Sequence, residues 1–275
     1  MLRVLRIILI AMLGVSLIAA GILFYYNYTH EDVSRPVFQA ASATMEVSVH
    51  ATRQDLCAGL KAYDNLDGDI TDRIMVQSIS KFTESGTFQV RYIVFDNASN
   101  YAVCERTAHY TDYTPPRYRL TKPMVFNVGE TVSFLNRISA EDCIDGDLSS
   151  RILLMESNVS NSVPSTYRVV LAVTNSMGDT ATLPLSVQVK QRAPSTASIT
   201  LSSNLVYQAA GTETDFRQYI AAVTDPLAEG EISKYSVTID SSALRADEPG
   251  VYDVNYLYTG ASGEPAEAIL TVIVE

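Results

Sequence analysis

One ten-residue pattern decides the fold, and it occurs three times: SGTFQVRYIV at 85–94, PSTYRVVLAV at 164–173 and PGVYDVNYLY at 249–258. In each copy, apolar side chains occupy every second position after a turn. This alternation is typical of a β-strand with one buried face, because successive side chains point to opposite sides of a sheet. The three copies therefore predict three β-sheet units built on one plan.

A second motif precedes the strand pattern in two of the units. AYDNLDGDITDRI at 62–74 aligns without a gap with AEDCIDGDLSSRI at 140–152, and 225–232 holds a degraded third copy. Prolines at 115–116 and at 194 mark linkers, because proline cannot continue a central strand. Short strands separated by turn residues, in units of this size, favour β-sandwiches.

The position of an aromatic residue favours the immunoglobulin type of sandwich. In that fold, a tyrosine at the start of strand F stands two residues before a core position. Tyr167 and Tyr252 stand two residues before a valine, and Phe88 takes this place in the first copy without a hydroxyl. The alternative is that an aromatic at a strand start simply packs in the core. Both interpretations keep the strand.

The N-terminal region predicts a membrane anchor. Residues 7–26 form an apolar run with an aromatic flank, which is long enough to cross the hydrocarbon core. Arg3 and Arg6 precede this run, so the positive-inside rule predicts that residues 1–6 are cytoplasmic and that the rest of the chain is extracellular. A cleaved signal peptide is the alternative, with a small-residue cleavage pattern at 41–43.

The whole chain is predicted to be all-β, with three tandem immunoglobulin-like β-sandwiches behind one N-terminal transmembrane helix. The predicted regions are a cytoplasmic stub at 1–6, a signal anchor at 7–26, a stalk at 27–45, domain 1 at 46–114, domain 2 at 115–191 and a divergent domain 3 at 192–275.

The two motifs together resemble the bacterial surface immunoglobulin-like repeats. That family occurs in tandem on secreted and wall-associated proteins of Gram-positive bacteria, and some pesticidal crystal toxins contain a related module. The resemblance covers 46–113 best and 117–190 well, whereas in 195–275 only the strand patterns hold. It implies a surface location and a sandwich fold, and it implies no catalytic activity.

Composition excludes some classes of function. The chain has 31 acidic and 20 basic residues, a formal net charge of −11. Such a surface repels phosphate backbones, so no nucleic-acid partner is expected. The sequence holds three histidines and none of the familiar hydrolase, metalloprotease, P-loop or dinucleotide motifs. We therefore predict that the protein is not an enzyme.

The acidic loops are the candidate binding sites. In an immunoglobulin sandwich the B–C and F–G loops emerge at the same end, where their carboxylates can form the oxygen site that Ca²⁺ prefers. The alternative is that these residues only make turns and that no cofactor binds. The candidate metal ligands are Asp64, Asp67, Asp69 and Asp96 in the first unit and Asp142, Asp145 and Asp147 in the second.

Three cysteines allow at most one intramolecular disulfide. Cys57 and Cys104 lie in the same unit, and an exported protein can keep a disulfide, so these two are predicted to pair. Cys143 lies in a loop and is predicted to be a free or reactive thiol.

These observations predict a membrane-anchored extracellular protein that acts as a non-enzymatic structural or interaction module at the bacterial cell surface. One alternative is an adhesin that binds glycan or protein ligands. Another is an accessory subunit of an envelope complex, which would bring a stoichiometric membrane partner.

Overall fold

The computed structural model describes residues 2–29, 32–40, 42–191 and 197–275. It begins with one apolar helix, α1 (Leu2–Thr29), in which the span Val4–Tyr26 has a mean hydropathy of 2.8 and contains no buried residue. A helix of this length and composition can cross a bilayer. The chain forms two compact units, Met1–Thr111 and Asp112–Glu275.

Two sheets, one short α-helix and one 3-10 helix (Thr71–Arg73) follow α1 among the described residues of the first unit. Their elements are β1 (Val37–Ala40), β2 (Thr44–Val47), α2 (Arg53–Leu56), β3 (Leu60–Asp64), β4 (Gly68–Asp69), β5 (Met75–Glu84), β6 (Thr87–Phe95) and β7 (Tyr101–Tyr110). One sheet has the order β1-β3-β4 and the other β2-β7-β6-β5.

The repeated strand pattern forms the centre of this unit. It corresponds to β6, which pairs with β5 and β7. The side chains that the alternation assigns to the inner face (Phe88, Val90, Tyr92 and Val94) are all 0% exposed. Burial of one strand face against a second sheet is the defining feature of a sandwich.

The prediction of a stalk at 27–45 is wrong in part. Residues 37–40 form β1, which pairs antiparallel with β3, and 44–47 form β2, which pairs parallel with β7. The first unit therefore begins before residue 46. Each of these strands has four residues, which is too short for an alternating pattern, and their partners are distant in sequence.

The described residues of the second unit (112–191 and 197–275) form four sheets. Its strands are β8 (Arg117–Leu120), β9 (Val125–Asn127), β10 (Ile138–Asp142), β11 (Gly146–Asp147), β12 (Leu153–Ser157), β13 (Ser165–Thr174), β14 (Thr180–Lys190), β15 (Ser198–Leu201), β16 (Leu205–Gln208), β17 (Ile220–Thr224), β18 (Thr238–Asp240), β19 (Gly250–Thr259) and β20 (Pro265–Val274). Their orders are β11-β10-β8, β12-β13-β14-β9, β15-β17 and β16-β20-β19-β18.

The connections of the first unit recur twice in the second. The strands β9 and β16 pair parallel with β14 and β20, as β2 does with β7. Two separate hydrophobic clusters form, one around Leu171 and Leu183 and the other around Val254 and Leu270. The all-β sandwich class with one N-terminal apolar helix is thus confirmed. The limits of domains 2 and 3 stay predictions, and the boundary at 192 lies outside the described residues.

The tyrosine at the strand start makes the contact that the immunoglobulin interpretation requires. The hydroxyl of Tyr167 donates to the carbonyl of Val163 at 2.8 Å, and that of Tyr252 donates to the carbonyl of Glu248 at 3.0 Å. A hydrogen bond to backbone a few residues upstream is the tyrosine corner of immunoglobulin-like folds.

Candidate functional site

The loop between β3 and β4 opens with a buried aspartate. Asp64 is 7% exposed, and its Oδ1 accepts hydrogen bonds from the backbone N–H groups of Asp67 (3.0 Å) and Leu66 (2.9 Å). This is an Asx turn, in which a short side chain caps the backbone that follows it. Both donors stabilise the charged form, so they lower the pKa of Asp64 from its ordinary value. The side chain therefore enters the site as a carboxylate.

Two further carboxylates approach Asp64. Asp96 follows β6 and is 6% exposed, and Asp32 precedes β1. One carboxylate oxygen from each residue lies within 4.8 Å of those from the other two. We call Asp32, Asp64 and Asp96 the carboxylate trio. Within the part of the chain that the structure describes, no lysine or arginine forms an ion pair with the trio.

The oxygens of the trio differ in their partners. Asp96 accepts from Asn100 twice, through the backbone N–H at 2.7 Å and the side-chain amide at 2.9 Å. That amide also donates to the backbone carbonyl of Asp32, whose own carboxylate accepts from Ser34. In contrast, Oδ2 of Asp64 is buried and has no hydrogen-bond partner among the described residues. The trio therefore combines three acidic groups with one unpaired acceptor.

The other two predicted ligands of the first unit lie outside the trio. Asp67 forms an ion pair with Arg73 at 3.1 Å and accepts two hydrogen bonds of 2.6 Å from Asn97. Asp69 accepts from the backbone N–H of Thr71 at 3.0 Å. The structure thus brings the two predicted loops together through Asp64 and Asp96. The carboxylates of Asp67 and Asp69 instead form contacts that hold the loops. The predicted set of four ligands is not brought together.

Asp32 is the residue of the site that the sequence did not indicate. It lies in the segment assigned to a stalk, with no acidic motif around it. The signal that points to it is structural: β1 pairs with β3, and this pairing carries the preceding residues toward the end of β3, where Asp64 stands. A four-residue strand gives no sequence pattern from which that pairing can be predicted.

The second unit has a matching but different arrangement. Asp142 stands in the position of Asp64, and its Oδ1 accepts from the backbone N–H groups of Ile144 and Asp145. The amide of Asn175 donates to Oδ2 of Asp142 at 2.8 Å and to the hydroxyl of Tyr113 at 2.9 Å. That hydroxyl donates in turn to Asp179 at 2.7 Å. Oδ2 of Asp142 therefore has a donor, whereas the corresponding Oδ2 of Asp64 in the first unit has none among the described residues.

The remaining acidic candidates of the second unit also make loop contacts. Asp145 forms an ion pair with Arg151 at 2.6 Å and accepts hydrogen bonds from Ser176. Asp147 accepts from Ser149. Their carboxylates do not converge with Asp142 on a common point, so the predicted set of three is not assembled as a site.

All three cysteines are free thiols, which contradicts the predicted pairing of Cys57 with Cys104. Cys57 ends α2, and its thiol donates to the carbonyl of Arg53 at 3.4 Å. Cys104 lies on β7 with its thiol toward the carbonyl of Glu105 at 3.8 Å. Cys143 contacts the backbone of Thr114. Each sulfur atom has a backbone partner. The presence of Cys57 and Cys104 in the same unit was therefore not sufficient evidence for a disulfide.

The fold and the site together define a class of protein: tandem β-sandwiches that carry acidic loop ends, behind an N-terminal apolar helix. The sequence matches no protein-family model. It is similar to the pesticidal crystal protein Cry22Aa of Bacillus thuringiensis, with 30% identity over 135 residues. This similarity covers 47% of the chain, which spans only 18% of that protein's length. It agrees with the resemblance to the surface repeats, and membership of that family stays a prediction.

The similarity of this chain to solved structures is remote. One contains the CBM51-2 and INT domains of Clostridium perfringens ZmpB in complex with GlcNAc, with a TM-score of 0.24, 18% identity and coverage of 55% of this chain and 41% of that chain. Another is the lipoprotein BT2262 of Bacteroides thetaiotaomicron, with a TM-score of 0.26, 15% identity and coverage of 58% and 80%. Similarity at this level supports no conclusion about the fold or the function of this chain.

Proposed function

We propose that the protein is a membrane-anchored interaction module without catalytic activity, whose β-sandwich units face the outside of the cell. The observation that carries this proposal is α1. Its apolar side chains are exposed, from Ile8 at 51% to Phe24 at 74%. Apolar surface of this extent is stable in lipid and not in water. The β-sandwich units then form the part of the protein that is available to a partner.

Protease treatment of intact cells tests the topology. Because Arg3 and Arg6 hold the N-terminus inside, external protease should remove a tag fused after Glu275 and spare a tag fused before Met1. Permeabilised cells, in which both tags are digested, provide the control. Protection of the C-terminal tag in intact cells would contradict the proposed orientation. A mature protein in the medium that starts near Thr44 would show that α1 is a cleaved signal.

One edge strand is suited to a protein partner. Among the strands that the structure describes, β12 has β13 as its single neighbour, and all five residues of β12 are exposed. Leu153, Leu154 and Met155 are 63%, 48% and 60% exposed. Natural edge strands are usually protected by lysine, proline or bulges, because unpaired N–H and C=O groups invite another strand. In β12 the pairing with β13 is irregular between Leu154 and Glu156, but the strand contains no lysine or proline. We therefore propose that a partner protein in the envelope adds a strand to this sheet at the edge formed by β12.

Substitution of this edge tests the assignment. Changing Leu153→Lys and Met155→Lys together should reduce recovery of a stoichiometric partner from solubilised membranes at least tenfold. The melting temperature should be little changed, because both side chains are exposed. The matched control is Leu135→Lys with Leu227→Lys, two exposed leucines outside the strands. Equal recovery with both double variants would contradict the assignment and would favour a different surface or a glycan ligand.

A further inference from the structure

We infer that the carboxylate trio binds one Ca²⁺ ion, and that this ion fastens the segment after the N-terminal helix to the first sandwich. The trio supplies three hard oxygen ligands, which is the chemistry that Ca²⁺ prefers. Ca²⁺–oxygen bonds are about 2.3–2.6 Å long, so two oxygens on one ion can lie up to about 5 Å apart. The 4.8 Å limit that encloses the trio meets this condition.

The unpaired oxygen of Asp64 is an independent indication of a ligand. Buried polar groups in folded proteins almost always have a partner, and a buried carboxylate oxygen without one is costly. Oδ1 of Asp64 is saturated by two backbone donors, and Oδ2 has none. A cation between the three carboxylates gives Oδ2 its missing partner and removes the repulsion among the like charges.

The second unit shows how the same fold satisfies this position without an ion. The turn after β13 matches the turn after β6: Asn175 N–H donates to the carbonyl of Asp179 as Asp96 N–H does to that of Asn100, both at 3.0 Å. Asn175 thus takes the place of Asp96. Its amide fills the position next to Asp142, whereas the side chain of Asp96 has no N–H group to offer Asp64. The first unit needs a cation where the second has an amide.

Through Asp32, the bound ion would also hold the segment that follows α1. This residue lies three positions after the end of α1 at Thr29, and it belongs to neither sheet. Its carbonyl contact with Asn100 and its carboxylate in the trio bind it to the loop after β6. With Ca²⁺ bound, Asp32 is held against the loop after β6. Without the ion, repulsion among the three carboxylates releases Asp32 from this loop.

Calorimetry of the full-length protein in detergent, with CaCl₂ as the titrant, tests the site. The wild-type protein should bind one Ca²⁺, and Asp32→Asn and Asp96→Asn should each weaken binding at least tenfold. Asp96→Asn should still fold without calcium, because it introduces the amide seen in the second unit. The matched control is Asp69→Asn, which removes one charge from the same loop end outside the trio and should change the affinity less than twofold.

Hydrogen exchange of residues 32–36 tests the fastening separately. Calcium should slow exchange there at least tenfold in the wild-type protein and have no effect in Asp32→Asn. Absence of binding by the wild-type protein at millimolar calcium would overturn the inference, as would an equal loss of affinity in Asp69→Asn. Unchanged affinity in Asp32→Asn would remove this residue from the site. None of these measurements depends on a partner protein or on the direction in which α1 crosses the membrane.

Discussion

Replacing Phe88 by alanine is expected to lower the free energy of unfolding of the first unit by about 3–5 kcal/mol. The side chain is 0% exposed at the start of β6, and its ring centroid lies 4.6 Å from that of Tyr110 and 6.2 Å from that of Phe82. Alanine would remove this contact and leave a cavity that two strands cannot close. A loss of this size is a large part of the stability of a small domain.

Native-state hydrogen exchange of residues 87–95 in the full-length protein measures this loss, because it reports the first unit independently of the second. Phe88→Leu is the control. It keeps an apolar side chain of nearly the right volume and should cost less than about 1.5 kcal/mol. A change below about 1 kcal/mol for Phe88→Ala would show that the strand pattern does not mark the core.

The strand pattern could be predicted because its cause is local. A sandwich strand buries one face, so every second residue along a short stretch of sequence is apolar, as at Val90, Tyr92 and Val94. The tyrosine corner is also local, since Tyr167 and Tyr252 bond to carbonyls four residues upstream. Features of this kind need no knowledge of which strands become neighbours.

The candidate site could be predicted only in part, because it depends on contacts between distant segments. Asp64 and Asp96 were found through the repeat and through the loop arrangement of the immunoglobulin fold. Asp32 was missed because it reaches the site through the pairing of two short strands. The predicted disulfide was wrong because the sequence places Cys57 and Cys104 in one unit but gives no distance between their sulfur atoms.

Sequence also could not separate the carboxylates of the trio from the carboxylates that only make contacts within the loop. Asp67 and Asp69 belong to the same motif as Asp64, and all three are aspartates near a glycine. Their roles differ because Arg73 and Asn97 reach Asp67, while the backbone of Thr71 reaches Asp69. Such assignments follow from the direction of each side chain, which depends on the folded loop.

Replacing Asn175 by aspartate should make the second unit depend on a cation. Asn175 is 4% exposed, and its amide lies 2.8 Å from Oδ2 of Asp142. A carboxylate in its place puts two negative charges in contact and takes away a donor. An uncompensated buried charge costs about 3–5 kcal/mol, so we expect a loss of that size in the presence of EDTA. Hydrogen exchange of residues 165–174 in the full-length protein measures it.

Calcium and a second substitution separate charge repulsion from simple damage to the fold. Millimolar calcium should restore part of the lost stability in Asn175→Asp and have no effect on the wild-type second unit, whose network is complete. Combining Asn175→Asp with Asp142→Asn exchanges the amide and the carboxylate, restores one donor between them and should recover more than half of the loss without calcium. Lower pH should also reduce the loss, because two carboxylates in contact raise each other's pKa and share a proton. If neither calcium nor the exchanged pair restores stability, the difference between the two units does not arise from the charge at this position.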